Sequence, residues 1–462
     1  MHTNPSIFKA YDIRGIYGTD LTNETAYRLG RAYGQFLRNE YPNQENLTII
    51  LARDMRDSGI ALESQLKQGL SDEGINIINI GLSSTPMMYY AVLEYGVDGG
   101  IIITASHNPA EYNGFKLVKK NAIPISGDMG IYQMRDIVMS NDIEVKNLPI
   151  SEIIKTDTLQ DYIQNVLSYQ NKQIEIKSMK VVVDTANGMG YPAIKMFLDN
   201  FPQLEVTYLY PELDGNFPNH EANPLKEETL LALQNKIIKL GADFGIAGDG
   251  DFDRVSFVDN TGKTIRPDIT TALLAQMLLT GREGAKILYD LRSSNITPEE
   301  ITRQGGIAIQ TRVGHSFIKA QMREEKAFFA GEFSGHFYLD VIKDKEHAYF
   351  ENPLFVILKI IELLSENELS LNQLTQDLFV YSHSGEINFE IDRSKEEILN
   401  EIKQEFSQGD LNELDGIRID YSDFWFSVRA SNTEPVLRLI VEGKTEAIME
   451  DIKSRLITII TR

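Results

Sequence analysis

Thr104-Ala105-Ser106-His107-Asn108-Pro109 follows directly on Gly100-Ile101-Ile102-Ile103. The isoleucine run reads as a buried strand, because a short unbroken run of β-branched residues suits a sheet covered on both faces. A strand that stops at this turn delivers one hydroxyl, that of Ser106, to a rigid edge. Pro109 also pushes Asn108 out of the helical region. This mounting suits a serine that acts as nucleophile or carries phosphate. Taken by itself the segment is also ordinary turn chemistry, since Ser and Asn-Pro both favour turns.

The strand-then-polar-loop pattern recurs. Thr48 to Asp54, Lys180 to Asp184 and Lys286 to Asp290 are each an apolar strand closing on an aspartate. Each runs into a polar turn, at Met55 to Gly59, Thr185 to Gly188 and Leu291 to Asn295, and then into a helical pattern. A second echo links Gly96-Val97-Asp98-Gly99-Gly100, before the Ser106 loop, with Gly241-Ala242-Asp243-Phe244-Gly245, before an aspartate-rich loop. The third unit supplies Phe328 to His336. Recurrence in fixed order over more than about a hundred residues indicates repeated α/β domains rather than a short-period solenoid. Alternating strands and helices predict parallel or mixed sheets flanked by helices, with ligands at the C-terminal ends of strands.

The end of the chain differs. From about Phe379 the pattern predicts a strand over Gly385–Ile391, a helix around Glu397–Glu405, strands around Gly416–Ser427 and Val436–Val441, and a closing helix from Glu446 to Thr461. The expected organisation is α/β domains over 1–148, 149–257 and 258–378, then a smaller α+β domain over 379–462.

Composition narrows the function. With 462 residues, 42% hydrophobic and 24% charged, the chain is expected to be a multidomain globular protein. It has no apolar run of membrane-spanning length, and Lys9, Asp12, Arg14, Asp20 and Glu24 leave no secretory core near its start, so a cytoplasmic protein is expected. Absence of cysteine excludes disulfides, thiolate catalysis and Cys-ligated zinc. A formal charge of −22 argues against nucleic acid as the main partner. It leaves room for a small anion where basic residues converge. Nothing in the sequence chooses between monomer and dimer.

Gly248-Asp249-Gly250-Asp251-Phe252-Asp253-Arg254 places three carboxylates at alternate positions after a strand. An extended turn would aim all three inward and form an oxygen-only site suited to Mg²⁺. A solvated acidic turn is the plainer alternative. An EF-hand is excluded, because its sixth and twelfth positions require Gly and Glu where this chain has Arg254 and Asn260. Gly188-Met189-Gly190-Tyr191-Pro192-Ala193 nominally fits a dinucleotide fingerprint, but its glycines come late and Pro192 reads as a helix start.

Two further segments offer anion and hydroxyl contacts. Arg429-Ala430-Ser431-Asn432-Thr433-Glu434-Pro435 gathers a guanidinium, two hydroxyls and an amide between two strands, the makings of a phosphate cradle or of a hydrogen-bonded loop. Glu332-Phe333-Ser334-Gly335-His336 pairs an acceptor with an alcohol on a glycine-flanked turn. His315, in Arg312-Val313-Gly314-His315-Ser316, reads as a helix start, with base or phosphate ligand as alternatives.

In this order the segments resemble the α-D-phosphohexomutases, specifically their phosphomannomutase/phosphoglucomutase branch. Ala10-Tyr11-Asp12-Ile13-Arg14-Gly15 is similar to the opening motif of the family. Thr104 to Pro109, continued by Tyr112-Asn113-Gly114-Phe115-Lys116, is similar to its phosphoserine loop. Asp249 to Arg254 resembles the metal loop, Glu332 to His336 the sugar loop and Arg429 to Thr433 the phosphate loop.

The resemblance implies four domains around a central cleft and a Mg²⁺-dependent exchange of hexose 6-phosphate and hexose 1-phosphate, mannose or glucose. Phosphorylated Ser106 would form a hexose 1,6-bisphosphate intermediate. Asp249, Asp251, Asp253 and the Ser106 phosphate would hold the metal. Arg14 and Arg254 would hold phosphoryl oxygens, and Lys116 or His336 would carry the hydroxyl proton. Tyr11, Arg292, His315, Glu332, Ser334, Arg429, Ser431, Asn432 and Thr433 would bind the phosphosugar. Two positions depart from the pattern. Phe333 is neither the Gln of phosphoglucosamine mutases nor the Met or Ala of many phosphomannomutases, and Arg292 stands where the branch often has Lys. A metal-dependent sugar phosphatase using the same serine and a non-catalytic phosphosugar sensor are the rival functions.

Overall fold

Each of the three strand-to-aspartate segments forms a strand with a helix after it. Thr48–Arg53 leads to a helix over Ser58–Asp72, Met179–Asp184 to one over Gly190–Leu198, and Lys286–Asp290 to one over Ile296–Arg303. The computed structural model describes residues 3–140, 152–430 and 436–462. The chain divides into two compact units, one formed by 1–265 with 334–372 and the other by 266–333 with 373–462.

In the first unit the leading sheet runs in the order Ile13–Ile16, Tyr112–Lys119, Gly99–Ile103, Thr48–Arg53, Asn76–Leu82, Ile153–Lys155. Gly99–Ile103, Thr48–Arg53 and Asn76–Leu82 are parallel, while Tyr112–Lys119 pairs antiparallel on both of its sides. Ile49, Leu51, Ile101, Ile103 and Phe115 are buried in its core, which explains the unbroken apolar runs. Helix Asn23–Glu40 begins at a Thr22 capping box with Thr25 and packs on Ser58–Asp72. The two helices meet at reciprocal glycines. A Cβ on Gly30 would lie 2.5 Å from the Leu66 carbonyl oxygen, and one on Gly69 would lie 2.0 Å from that of Tyr27.

A second sheet of this unit has Leu204–Leu209, Met179–Asp184 and Phe244–Gly248 parallel, with Val255–Asp259 antiparallel on Phe244–Gly248. The aspartate loop is therefore the connection of a hairpin closed by the Gly248–Val255 pair. The unit also contains the hairpin Phe337–Lys343 with Glu346–Glu351 and the buried helix Pro353–Glu366.

In the second unit Ile307–Thr311, Lys286–Asp290 and Phe329–Gly331 form a parallel set. A separate antiparallel sheet orders Ser382–His383, Val436–Gly443, Phe424–Ala430, Ile417–Asp420 and Asp410–Asn412, with Ile387–Glu390 also on Val436–Gly443. Helices Lys395–Glu405 and Glu446–Ile460 cover it, giving the α+β end that the pattern predicts. The Gly416–Ser427 stretch divides into two strands at a turn that the Tyr421 N–H closes on the Phe424 carbonyl at 2.8 Å. No described helix is long and apolar enough to cross a membrane.

The glycine crossing gives a stability test. Ala exceeds Gly in helix propensity by about 1 kcal/mol. A methyl 2.0 Å from a backbone carbonyl cannot be absorbed by a rotamer change, and such overpacking costs about 1–3 kcal/mol. Gly69→Ala should therefore lower the unfolding free energy despite its better propensity, as read by chemical denaturation. Unchanged or raised stability would show that the helices separate freely.

Candidate functional site

Ser106 is buried, with φ at +52°, a left-handed backbone that non-glycine residues seldom adopt. Its N–H donates to Thr104 Oγ1 at 2.9 Å and its hydroxyl to Asp249 Oδ2 at 2.7 Å. His107 Nδ1 lies 3.2 Å from the same hydroxyl. Burial, with Arg254 and Arg14 nearby, holds the His107 pKa well below its ordinary value, so this ring is neutral.

The aspartate loop corrects one expectation. It is a tight turn rather than an extended segment, with Phe252 at φ +55°. Gly250 is required there, because a Cβ would come 2.3 Å from the Ser106 carbonyl oxygen. The three carboxylates still converge, with ligand atoms all within 4.8 Å of one another.

Their partners divide the charge. Lys116 Nζ donates to Asp251 Oδ2 at 2.7 Å and to Asp253 Oδ2 at 2.5 Å, and Thr85 Oγ1 donates to Asp251 Oδ2 at 2.6 Å. Burial opposes the Lys116 charge, but Asp251 and Asp253 outweigh it and hold this ammonium well above its usual pKa. The backbone N–H groups of Asp253 and Arg254 donate to Asp249 Oδ1. Burial, then Asp253 and Asp251, push the Asp249 carboxyl up to about 8. Asp251 Oδ1 is buried without a hydrogen-bond donor. An oxygen so placed, beside two more carboxylates, fits a hard divalent cation.

Of the other expected side chains, Arg254, Arg14 and His336 adjoin this centre. Arg254 Nε lies 3.8 Å from Asp249 Oδ2 and is buried without a hydrogen-bond acceptor. Arg14 donates to Asn108 Oδ1 at 2.7 Å and pairs with Asp12. His336 Nε2 lies 3.3 Å from Asp253 Oδ1, and His336 Nδ1 lies 2.8 Å from Ser334 Oγ. Tyr11 is partly buried in a bend ahead of Ile13–Ile16.

The second unit holds a cluster of arginines. Arg292, buried after Lys286–Asp290, donates from Nη2 to Asp290 Oδ2 at 2.7 Å and to Glu332 Oε1 at 3.1 Å. Glu386 joins three guanidinium groups, with Arg292 Nη1 at 3.5 Å, Arg429 Nη2 at 3.2 Å and Arg438 Nη1 at 3.4 Å. Burial opposes the Glu386 charge, but these arginines hold its pKa below the ordinary value. Arg429 Nε is buried without an acceptor. His315 is the first residue of helix His315–Glu325, as the reading of it as a helix start expects. Ser431, Asn432 and Thr433 lie outside the described residues.

Phe333, the unusual residue of the sugar loop, stacks on His383 with centroids 5.2 Å apart, and its N–H donates to Asp290 Oδ2 at 2.9 Å. Burial, with Arg266 nearby, pushes His383 down to about 3.

Sequence reading missed Arg56, Thr85, Glu386 and Arg438. Arg56 sits in a segment read as a plain polar turn, and the segment around Thr85 was given no reading. A charge inside each of two apolar strand patterns, Gly385–Ile391 and Val436–Val441, was the available signal for Glu386 and Arg438.

The class of protein is given by comparison with known families and proteins. The family models for phosphoglucomutase/phosphomannomutase alpha/beta/alpha domains I, II and III and C-terminal domain match residues 5–142, 160–262, 266–381 and 386–459. A phosphomannomutase of Vibrio cholerae is 40% identical over 96% of this chain and 96% of its own. One of Methanocaldococcus jannaschii is 40% identical over 96% and 95%. A crystal structure of a phosphoglucomutase/phosphomannomutase family protein from Burkholderia thailandensis superposes with a TM-score of 0.88 at 29% identity, covering 99% of this chain and 97% of that one. The chain belongs to the phosphoglucomutase/phosphomannomutase family. It is a phosphosugar mutase, with three α/β domains and a C-terminal domain, and the phosphatase and sensor readings are set aside.

The neutral His383 ring sets a pH dependence. Unfolded, the imidazole takes up a proton below about pH 6.5. Folded, it stays neutral until about 3. The unfolded chain therefore binds more protons between these values, and this contribution to stability is complete above pH 6.5 and declines on acidification. Denaturation at a series of pH values should show a slope between pH 6.5 and 4.5 that falls in His383→Phe by up to about 1.4 kcal/mol per pH unit. An unchanged slope would place a charged imidazole inside the folded unit.

Proposed function

We propose that the enzyme interconverts hexose 1-phosphate and hexose 6-phosphate, with mannose 6-phosphate the first substrate to test, through phosphorylated Ser106. The 2.7 Å contact between Ser106 Oγ and buried Asp249, on a strained turn, is the observation that carries this reading. Strain of this kind persists where the surroundings over-determine a reactive geometry. The relatives named phosphomannomutase support mannose, and glucose belongs in the same assay.

Asp249, Asp251 and Asp253, with the seryl phosphate, would hold Mg²⁺. When bound it supplies Lewis-acid polarisation of the phosphoryl group. The remaining work falls to side chains. Arg254 and Arg14 hold equatorial phosphoryl oxygens during transfer, where positioning and charge neutralisation dominate catalysis. The sugar hydroxyl attacks phosphorus, the phosphorus–Oγ bond of Ser106 breaks, the hydroxyl proton passes to His336, and the released Oγ takes up one proton in return from solvent. His336 is preferred to Lys116 as the base, because Lys116 is held protonated between two carboxylates and has no lone pair to offer. The resulting hexose 1,6-bisphosphate then returns its other phosphoryl group to Ser106. Arg292 and Arg429 hold the phosphate that is not reacting, and Glu332 and Ser334 the sugar hydroxyls.

Peptide mapping after incubation with hexose 1,6-bisphosphate should place phosphate on Ser106. Ser106→Ala should lose nearly all turnover. Asp251→Asn should remain folded, with calorimetry showing loss of Mg²⁺ binding. Phosphate mapped to another residue, or full turnover without Ser106, would overturn the mechanism.

Arg429→Ala should cost about 1.5–3 kcal/mol of binding through loss of a charge-assisted contact. The loss should fall on the 1-phosphate and 6-phosphate alike. A loss confined to one isomer would show that Arg429 serves a single orientation.

A further inference from the structure

The guanidinium of Arg56 touches neither the carboxylate cluster nor any expected substrate contact, yet it is 1% exposed and grips the Ser106 loop from behind. Nη2 donates to the carbonyl oxygens of Ser106 at 2.9 Å and Asn108 at 2.6 Å. Nη1 donates to those of Pro109 at 2.7 Å and Tyr112 at 2.9 Å. Nε turns to Asp54 Oδ2 at 3.3 Å, and the Arg56 N–H donates to Asp54 Oδ1 at 3.0 Å. The fork is thus anchored at its base by a carboxylate and spends both terminal nitrogens on one loop. The ring of Phe217 caps the guanidinium at 5.1 Å. A Cβ on Gly250 would meet the Ser106 carbonyl at 2.3 Å and Phe217 Cζ at 3.5 Å, so the aspartate loop closes the same packing from another side.

We propose that Arg56 is the positioning residue for the reacting serine: its fork collects four carbonyls and thereby fixes Ser106 in the left-handed conformation that aims Oγ at Asp249. The inference rests on the reading that Ser106 carries the phosphoryl group. The argument is geometric. Four carbonyl oxygens drawn to one point repel unless donors lie between them, and a left-handed serine relaxes unless its carbonyl is held. A planar guanidinium offers two terminal nitrogens with paired, divergent donors. A lysine ammonium offers a single nitrogen and cannot span four acceptors. Arg56 therefore acts on the direction of Oγ rather than on the affinity for sugar.

A general packing role and a positioning role differ in what they change. Misplacing a reacting group by about 1 Å costs about 100-fold in rate. In the full-length enzyme Arg56→Lys should lower kcat by about 100-fold while KM for the hexose 1-phosphate stays within about threefold. In Arg56→Ala, added guanidinium ion should restore part of kcat, and ammonium ion at equal ionic strength should not. A kcat within about threefold of wild type for Arg56→Lys would overturn the proposal, and so would a loss confined to KM. Equal rescue by both cations would also overturn it. Should neither variant fold, Phe217→Leu keeps the fork and removes its cap. It should lower kcat by about threefold or more at constant KM, and an unchanged kcat would overturn the proposal. Mapping of the wild-type phosphopeptide separates the two readings, since phosphate on a residue other than Ser106 defeats the mechanism itself, whatever the Arg56 variants do.

Discussion

Three carboxylates confined within 4.8 Å of one another, all buried, set the conditions for the first unit. At that separation and an effective dielectric of about 20, each like-charged pair repels by about 3–4 kcal/mol. The fold answers this at each aspartate differently. Lys116 is shared by Asp251 and Asp253. Asp249 takes two backbone N–H groups on one oxygen and the Ser106 hydroxyl on the other. The ammonium partly supplies what the sequence pattern assigns to a metal alone. What it leaves is an acceptor on Asp251 facing no donor, and an Asp249 carboxyl whose proton affinity is raised. Both features favour arrival of a further cation.

Much of the architecture was legible because its signals are local. Strands ending in aspartates, the aspartate loop and the change of pattern near Phe379 all lie within short windows of sequence. The closing helix starts at Glu446, where the residues place it. What escaped is long-range. Arg56 and Ser106 are fifty positions apart, and only the parallel pairing of Thr48–Arg53 with Gly99–Ile103 sets their loops side by side. Thr85 is recognised as a partner of Asp251 only because two domains of one unit meet there. The shape of the aspartate loop escaped for another reason. Alternation in sequence fixes side-chain direction in a strand, whereas a turn through left-handed Phe252 obeys no such period.

In the second unit Glu386 has a double effect. It bridges Arg292, Arg429 and Arg438 and offsets part of the repulsion among their three positive charges. The same carboxylate also competes with any anion that approaches them. A dianionic phosphate can displace this competition, because it brings more charge and more acceptor oxygens than one carboxylate. The substitution of Arg for Lys at 292 suits this arrangement. A planar fork can bond Asp290 and Glu332 and still lie beside Glu386, while a single ammonium has fewer directions to offer.

The overall charge of −22 then poses a question for any enzyme of anionic substrates, since the mean field of the molecule repels them. The internal distribution resolves it. Screening at physiological salt confines surface charges to about 8 Å. Buried guanidinium groups are screened far less and dominate the potential near themselves. Arg254 and Arg429 each retain a buried Nε without an acceptor, so the cationic positions are also those with hydrogen-bonding capacity to spare. On the proposed reading, an acidic exterior with one spare guanidinium N–H on each of these arginines inside favours ligands that offer several acceptor oxygens at short range, a condition a phosphate ester meets better than chloride or a single carboxylate.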